Sequence, residues 1–131
     1  MPNCNSYQIY KGMLDDESTG VFNGKIFVKK DAQKTNAYQS SKAILISEGA
    51  SMNSKPQLEI FADDVKCSHG AAIGQISKNE IFYFKSRGIS EQEAQNILTY
   101  AFANEVIGKV KFPELRAYLD NELKERLKID F

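Results

Sequence analysis

The chain has 131 residues, 42% of them hydrophobic and 26% charged, and its seventeen lysines and arginines balance its seventeen aspartates and glutamates. This length predicts a single domain with one core. The absence of net positive charge argues against binding to nucleic acid or to an anionic membrane surface, because both depend on electrostatic attraction. No apolar run approaches the roughly 20 residues that a membrane helix needs.

The N-terminus and the cysteines both bear on the cellular compartment. Residues 1–6 lack the charged and apolar regions of a signal peptide. Cys4 and Cys67 are the two cysteines of the chain, and two cysteines do not make a disulfide framework. We therefore expect a cytoplasmic protein.

The first two thirds of the chain is dominated by short runs typical of strands. Residues 1–20 are broken by turn-forming residues and predict little regular structure. The alternation in residues 35–39 puts Thr35, Ala37 and Gln39 on one face. Residues 40–42 predict a turn and residues 47–56 a polar connection. The predicted strands are residues 21–28, 35–39, 43–46, 58–62, 65–71 and 81–84.

The spacing of these strands leaves two architectures open. Longer apolar strands alternate with shorter, more polar ones at intervals of about 15 to 23 residues, which is the range of one solenoid coil. An antiparallel sandwich would show more uniform spacing and stronger hairpin turns. The pattern by itself is compatible with a β-helix or with a sandwich.

The hydrophobic period changes to that of a helix after Gly88. Ser90 and Glu93 have the spacing of a capping box, in which two side chains satisfy free backbone donors at a helix start. Gly108 predicts the end of this helix, and Pro113 predicts the first turn of a second one.

The second predicted helix carries an apolar stripe with two interpretations. The stripe either packs against the neighbouring helix and the β core, or part of it binds another protein. Its candidate partner-binding residues are Leu115, Tyr118, Leu119 and Leu123.

Cys67 and His69 are the candidate chemical site. They are separated by one residue in a predicted strand, so that thiol and imidazole lie side by side on one face. Val65 and Ala71 share this face, and we therefore expect both side chains to be largely shielded, within the core or at a partner-facing edge. His69 is the only histidine of the chain.

The chemistry of this pair remains open from spacing alone. Thiol and imidazole are ligands suited to iron or zinc, with further ligands from Cys4, from Asp64 or from another chain. A Cys–His catalytic pair is conceivable, although catalytic thiols usually take their base from a distant part of the chain. The pair could also be a buried thiol and a core histidine without chemical function. Nucleotide-binding glycine motifs and the common zinc motifs are absent from the sequence.

Four blocks of the sequence resemble the SufB/SufD family of iron–sulfur cluster assembly proteins. In Cys67-Ser68-His69-Gly70 the sequence is closer to the SufD branch than to the SufB branch. Members of the family are several hundred residues long, so the resemblance implies that this chain is a C-terminal fragment. The four blocks are residues 15–26, 31–39, 55–71 and 82–89.

The resemblance implies a right-handed parallel β-helix, here residues 1–87, followed by a small α-helical domain, residues 88–131. It implies a non-enzymatic scaffold that pairs with SufB through the β-helix and binds the ATPase SufC through its C-terminal helices. A transient iron–sulfur cluster or iron is expected at the interface with SufB, where the family's histidine corresponds to His69 and Cys67 is the neighbouring thiol. None is expected on the isolated fragment.

The alternatives to a scaffold are a β-helix enzyme and a pure interaction module. A β-helix enzyme acting on glycans would need clustered carboxylates, but Asp63 and Asp64 are adjacent and would point to opposite faces of a strand. A pure interaction module would lack metal chemistry. A β-helix cut across its axis also exposes unpaired strand edges, and we therefore expect the fragment to self-associate near residues 5–28.

Overall fold

The computed structural model describes residues 1–130 and contains five strands followed by three helices. The elements in chain order are β1 (Asn5–Leu14), β2 (Thr19–Val28), β3 (Thr35–Leu45), β4 (Ser51–Ile60), β5 (Val65–Gln75), α1 (Lys78–Lys85), α2 (Glu91–Ile107) and α3 (Pro113–Leu127).

The chain alternates between two parallel sheets. One sheet has the order β1-β3-β5 and the other pairs β2 with β4, so that β1, β2 and β3 each pair with the strand two places further on. Parallel partners need a crossover, and here the crossover is a strand of the opposite sheet. The prediction of parallel strands is confirmed, and the antiparallel alternative is wrong.

The core lies between the two sheets. Ile26 and Val28 on β2 pack with Ala37 on β3 and with Ala62, and all four are at most 7% exposed. A second cluster contains Leu14, Ala43 and Ala50. Removing these side chains from water is the main favourable term that holds the sheets together.

Three predictions for polar segments were wrong. Residues 5–14, expected to be broken, form β1, and most of residues 47–56, expected to be a loop, belong to β4. The predicted turn at residues 40–42 lies inside β3, where Ser40 and Ser41 are buried. In each case a neighbouring parallel strand supplies backbone hydrogen bonds, so the segment is extended although its side chains are polar.

Residues 81–84 were predicted as a strand and lie in helix α1. The Ser77 side chain accepts a hydrogen bond from the backbone N–H of Glu80, which caps the first turn of this helix. Four consecutive apolar residues fit either element, so the cap and not the apolar run marks the helix. None of the α1 residues is buried.

The two longer helices confirm the signals read from the sequence. Ser90 and Glu93 form the reciprocal capping box at the start of α2, and Gly108 caps its end. Pro113 is the first residue of α3. Gly88, between α1 and α2, has a φ of 84°, which glycine adopts without steric penalty.

Helix α2 packs against β1, α1 and α3. Within residues 1–130, no helix combines the length and apolar character required to cross a membrane.

Candidate functional site

Cys67 and His69 both lie on β5, at the edge of the three-stranded sheet. Cys67 is the register partner of Ala37, and His69 is the register partner of Gln39. Ala37 and Gln39 face the core, at 2% and 1% exposure. Side chains in register on adjacent strands point to the same face, so Cys67 and His69 also point to the inner side. The prediction that they share a face is confirmed.

The two side chains differ in burial. Cys67 is half-buried and packs against the cluster that contains Ile26, Val28 and Ala37. His69 is exposed. Within residues 1–130 no strand pairs with the outer edge of β5, so the inner side of its sheet is uncovered at His69. The expected shielding therefore holds in part for the thiol and does not hold for the imidazole in this chain.

Cys4 and Asp64, the two further candidate ligands of this chain, lie outside the inner face of β5. Cys4 precedes β1, where its carbonyl accepts the backbone N–H of Asn36, so strand β3 lies between Cys4 and the Cys67–His69 pair. Asp64 immediately precedes β5, and its backbone N–H donates to the Gln33 side chain over 2.9 Å. Its side chain is exposed.

At the edge of β5, the described residues supply one thiol, Cys67, and one imidazole, His69, as metal ligands. Among residues 1–130 no group of three His, Cys, Asp or Glu side chains is arranged to hold a metal ion. A thiol and an imidazole on an open edge can therefore contribute two ligands, while a bound iron or cluster would take its others from outside this set.

One residue next to this pair was not recognised from sequence as part of a site. Gln39 is almost fully buried beside His69, and its Nε2 donates to Oε1 of Gln8 over 2.7 Å. The alternation of Thr35, Ala37 and Gln39 placed these three on one face. The packing of the two sheets makes this face the inner one, and the strand register makes His69 the neighbour of Gln39.

The candidate partner-binding stripe on α3 is divided by burial. Leu115 and Tyr118 are 46% and 59% exposed, Leu119 is half-buried, and Leu123 is buried at 7%. The exposed part of the stripe is therefore its N-terminal half.

A polar cluster attaches α3 to α2. The Tyr100 hydroxyl donates to Oδ1 of Asp120 over 2.5 Å, and Lys124 pairs with Oδ2 over 2.9 Å. The hydrogen bond from Tyr100, followed by that from Lys124, holds the pKa of the Asp120 carboxyl below its usual value. The same contact raises the pKa of Tyr100.

Comparison with known proteins identifies the family. Residues 1–102 match the family model described as SUF system FeS cluster assembly, SufBD core domain. The chain belongs to the SufBD family. The match includes all five strands, helix α1 and most of α2.

Curated relatives are similar to this sequence over nearly the whole chain. The iron-sulfur cluster assembly protein SufD of Escherichia coli is 43% identical over 124 residues, which cover 95% of this chain and 29% of that protein. A SufBD family protein of Synechocystis is 40% identical over 90% of this chain and 26% of its own length. The chloroplastic protein ABCI7 of Arabidopsis thaliana is 41% identical over 94% of this chain and 26% of its own length. The chain thus spans less than a third of these relatives.

Proposed function

We propose that this chain is part of a SufD-like, non-enzymatic scaffold subunit of the SUF iron–sulfur cluster assembly complex. The family match and the 43% identity to a protein named as an iron-sulfur cluster assembly protein support this assignment. The partners in this proposal are a SufB-like protein and the ATPase SufC, and the compartment is the cytoplasm.

The five strands form, in this proposal, the final coils of a right-handed parallel β-helix. Strict alternation between two parallel sheets supports it, because each pair of consecutive strands then makes one coil. Residues 1–87 would be the coils and residues 88–131 the helical domain.

The proposed partner-facing surface for SufB is the open end at β5. Both β4 and β5 have an edge without a partner strand in residues 1–130, and such an edge can pair with a strand of another chain. Ile60 and Ile73 are 38% and 46% exposed at this end, so a partner would also cover apolar surface.

His69 and Cys67 are the proposed contact with the cargo, a transient cluster or iron, at this interface. A neutral imidazole offers one nitrogen lone pair, and a thiolate is the form of cysteine that binds metal. The observation that carries the proposal is that both side chains face inward on an edge strand. There a second chain can complete the ligand set and exclude water.

The test uses His69→Ala and Cys67→Ser in the full-length protein assembled with SufB and SufC. We expect His69→Ala to lower the cluster yield at least about tenfold, since changes around metal ligands typically cost 10- to 100-fold. Cys67→Ser should have a smaller effect. Ser68→Ala is the matched control because residue 68 points to the opposite face of β5. Normal assembly by a folded, SufB-bound His69→Ala complex would contradict the proposal.

A further inference from the structure

Gln39 is a polar residue enclosed in the core of the sheets. It is 1% exposed, less than any apolar residue of the neighbouring cluster. A buried amide costs free energy unless its donor and acceptor both find partners. The position of this side chain therefore needs a reason beyond packing.

The two ends of the Gln39 amide have different surroundings. Its Nε2 donates to Oε1 of Gln8 over 2.7 Å, which determines which end of the amide points towards β1. Its Oε1 is buried and has no hydrogen-bond partner among residues 1–130. Gly24 on the opposite sheet leaves room for this oxygen, because a Cβ there would lie 2.5 Å from it.

On the strand opposite to Gln8, the residue in register with Gln39 is His69. Gln39 and His69 are paired residues on adjacent parallel strands, which run about 4.8 Å apart, and both point inward. For an N–H of the exposed ring to reach this buried oxygen, the ring has to rotate inward about its side-chain bonds. A neutral imidazole has one such N–H and keeps a lone pair on its other nitrogen.

We propose that Gln39 is a positioning residue for His69, whose ring N–H donates to Oε1 of Gln39. The hydrogen bond selects one tautomer and one ring orientation, and it leaves the other ring nitrogen free for the cargo. Metal-binding histidines commonly donate their second nitrogen to an oxygen in this way. The inference rests on the proposed role of His69, which it deepens.

Gln8 has a defined part in this arrangement. By accepting from Nε2, it keeps the amide from turning over and presenting its NH₂ group to His69. A reversed amide would donate to the ring and compete for the lone pair that the cargo needs.

The experiment exploits the single histidine of the chain. With ¹⁵N-labelled histidine, ring nitrogen shifts in the 131-residue chain report the tautomer ratio of His69 alone. The ratio is measured above neutral pH, with a chelator present and without partner proteins. We expect the folded chain to differ about fivefold from the same chain in denaturant, as one hydrogen bond predicts. Gln39→Leu should return the ratio to the denatured value.

Two variants separate positioning from general damage to the fold. Gln39→Glu keeps an acceptor oxygen and should retain the selected tautomer, whereas Ser41→Ala, two residues along the same inner face, should leave the ratio unchanged. If Gln39→Leu does not fold, Gln8→Leu is measured instead. Without the Gln8 acceptor the Gln39 amide is free to turn over, which should also shift the tautomer ratio of His69.

A folded Gln39→Leu chain with the wild-type ratio would overturn the inference, as would a wild-type ratio equal to that in denaturant. The tautomer ratio is measured without cargo or partners. The inference about Gln39 can therefore fail while the cluster-yield test of His69 succeeds, and the cluster-yield test can fail while the inference about Gln39 holds.

Discussion

The Lys11 ammonium on β1 donates a hydrogen bond of 2.9 Å to the backbone carbonyl of Phe102 on α2 and lies 4.1 Å from the centroid of the Phe102 ring. Lys11 also pairs with Glu105, and its side chain is only 5% exposed. These contacts join the strands to the helices, across 91 positions of sequence for Phe102 and 94 for Glu105. The boundary between the β-helix coils, residues 1–87, and the helical domain, residues 88–131, stays a prediction. The contacts of Lys11 cross this boundary.

Lys11→Met should weaken the attachment of α2 to the sheet. The change keeps much of the buried aliphatic chain and removes the charge-assisted hydrogen bond, so we expect the free energy of unfolding to fall by about 2 kcal/mol. Urea unfolding measures it. Lys25→Met is the matched control, because the Lys25–Glu59 pair is about half exposed. Its effect should stay within about 0.5 kcal/mol. Equal effects of the two variants would contradict the prediction.

Tyr100→Phe should reduce the acid sensitivity of the contact between α2 and α3. The folded-state pKa of Asp120 is lowered, so its contribution to stability is present above the unfolded-state pKa and is lost as pH falls through the folded-state value. Without the hydroxyl, the Asp120 pKa should rise. The chain should also lose about 1 kcal/mol of stability near neutral pH.

The measurement for Tyr100→Phe is the pKa of the Asp120 carboxyl by NMR, together with stability between about pH 6 and pH 3. Tyr118→Phe serves as control, since Tyr118 is 59% exposed. An unchanged Asp120 pKa would show that the hydroxyl does not stabilise the carboxylate.

Leu115→Asp should weaken binding of the full-length protein to SufC while the pairing with SufB is retained. Leu115 is 46% exposed, so the substitution places a charge on the proposed surface without opening the core. We expect at least about tenfold weaker binding, which corresponds to loss of one substantial apolar contact. Leu119→Asp should have the same effect, with some loss of stability because Leu119 is half-buried.

Ala117→Asp adds the same charge to α3 outside the apolar stripe and provides the control for SufC binding. Ala117 is exposed. Pull-down with separate SufB and SufC baits distinguishes the two interfaces. Unchanged recovery of SufC by Leu115→Asp would refute a role for this helix surface.

The 131-residue chain should self-associate through its open strand edges. Each of β1, β2, β4 and β5 has a single partner strand within residues 1–130, which leaves four free edges. We expect the contact near residues 5–28, where Tyr10 is 45% exposed and its ring centroid lies 4.7 Å from that of Phe22, with the two rings tilted by 50°. Tyr10→Lys should therefore shift sedimentation towards monomer.

Ile73→Lys is the matched variant at the opposite end. It places the same charge on β5, where Ile73 is 46% exposed. If Ile73→Lys shifts the chain to monomer and Tyr10→Lys does not, the self-association contact lies at the β5 end and not near residues 5–28. A monomeric wild-type chain at high concentration would refute self-association altogether.

Local signals in the sequence were sufficient for the helices after Gly88 and for the shared face of Cys67 and His69. The capping box of Ser90 and Glu93 satisfies backbone donors within one turn, and Pro113 suits a first turn in any context. The strand period of two likewise depends only on the backbone.

Contacts between distant residues decided the rest. Polar residues such as Gln8 and Ser41 lie in strands because parallel neighbours pair their backbones, which no local pattern records. The same face of the sheet buries Gln39 and exposes His69, because β3 has a strand on both sides and β5 on only one. The sequence by itself therefore determined that Cys67 and His69 share a face, and the tertiary structure decided which side chains of that face are covered, since burial depends on the strands that stack above and below.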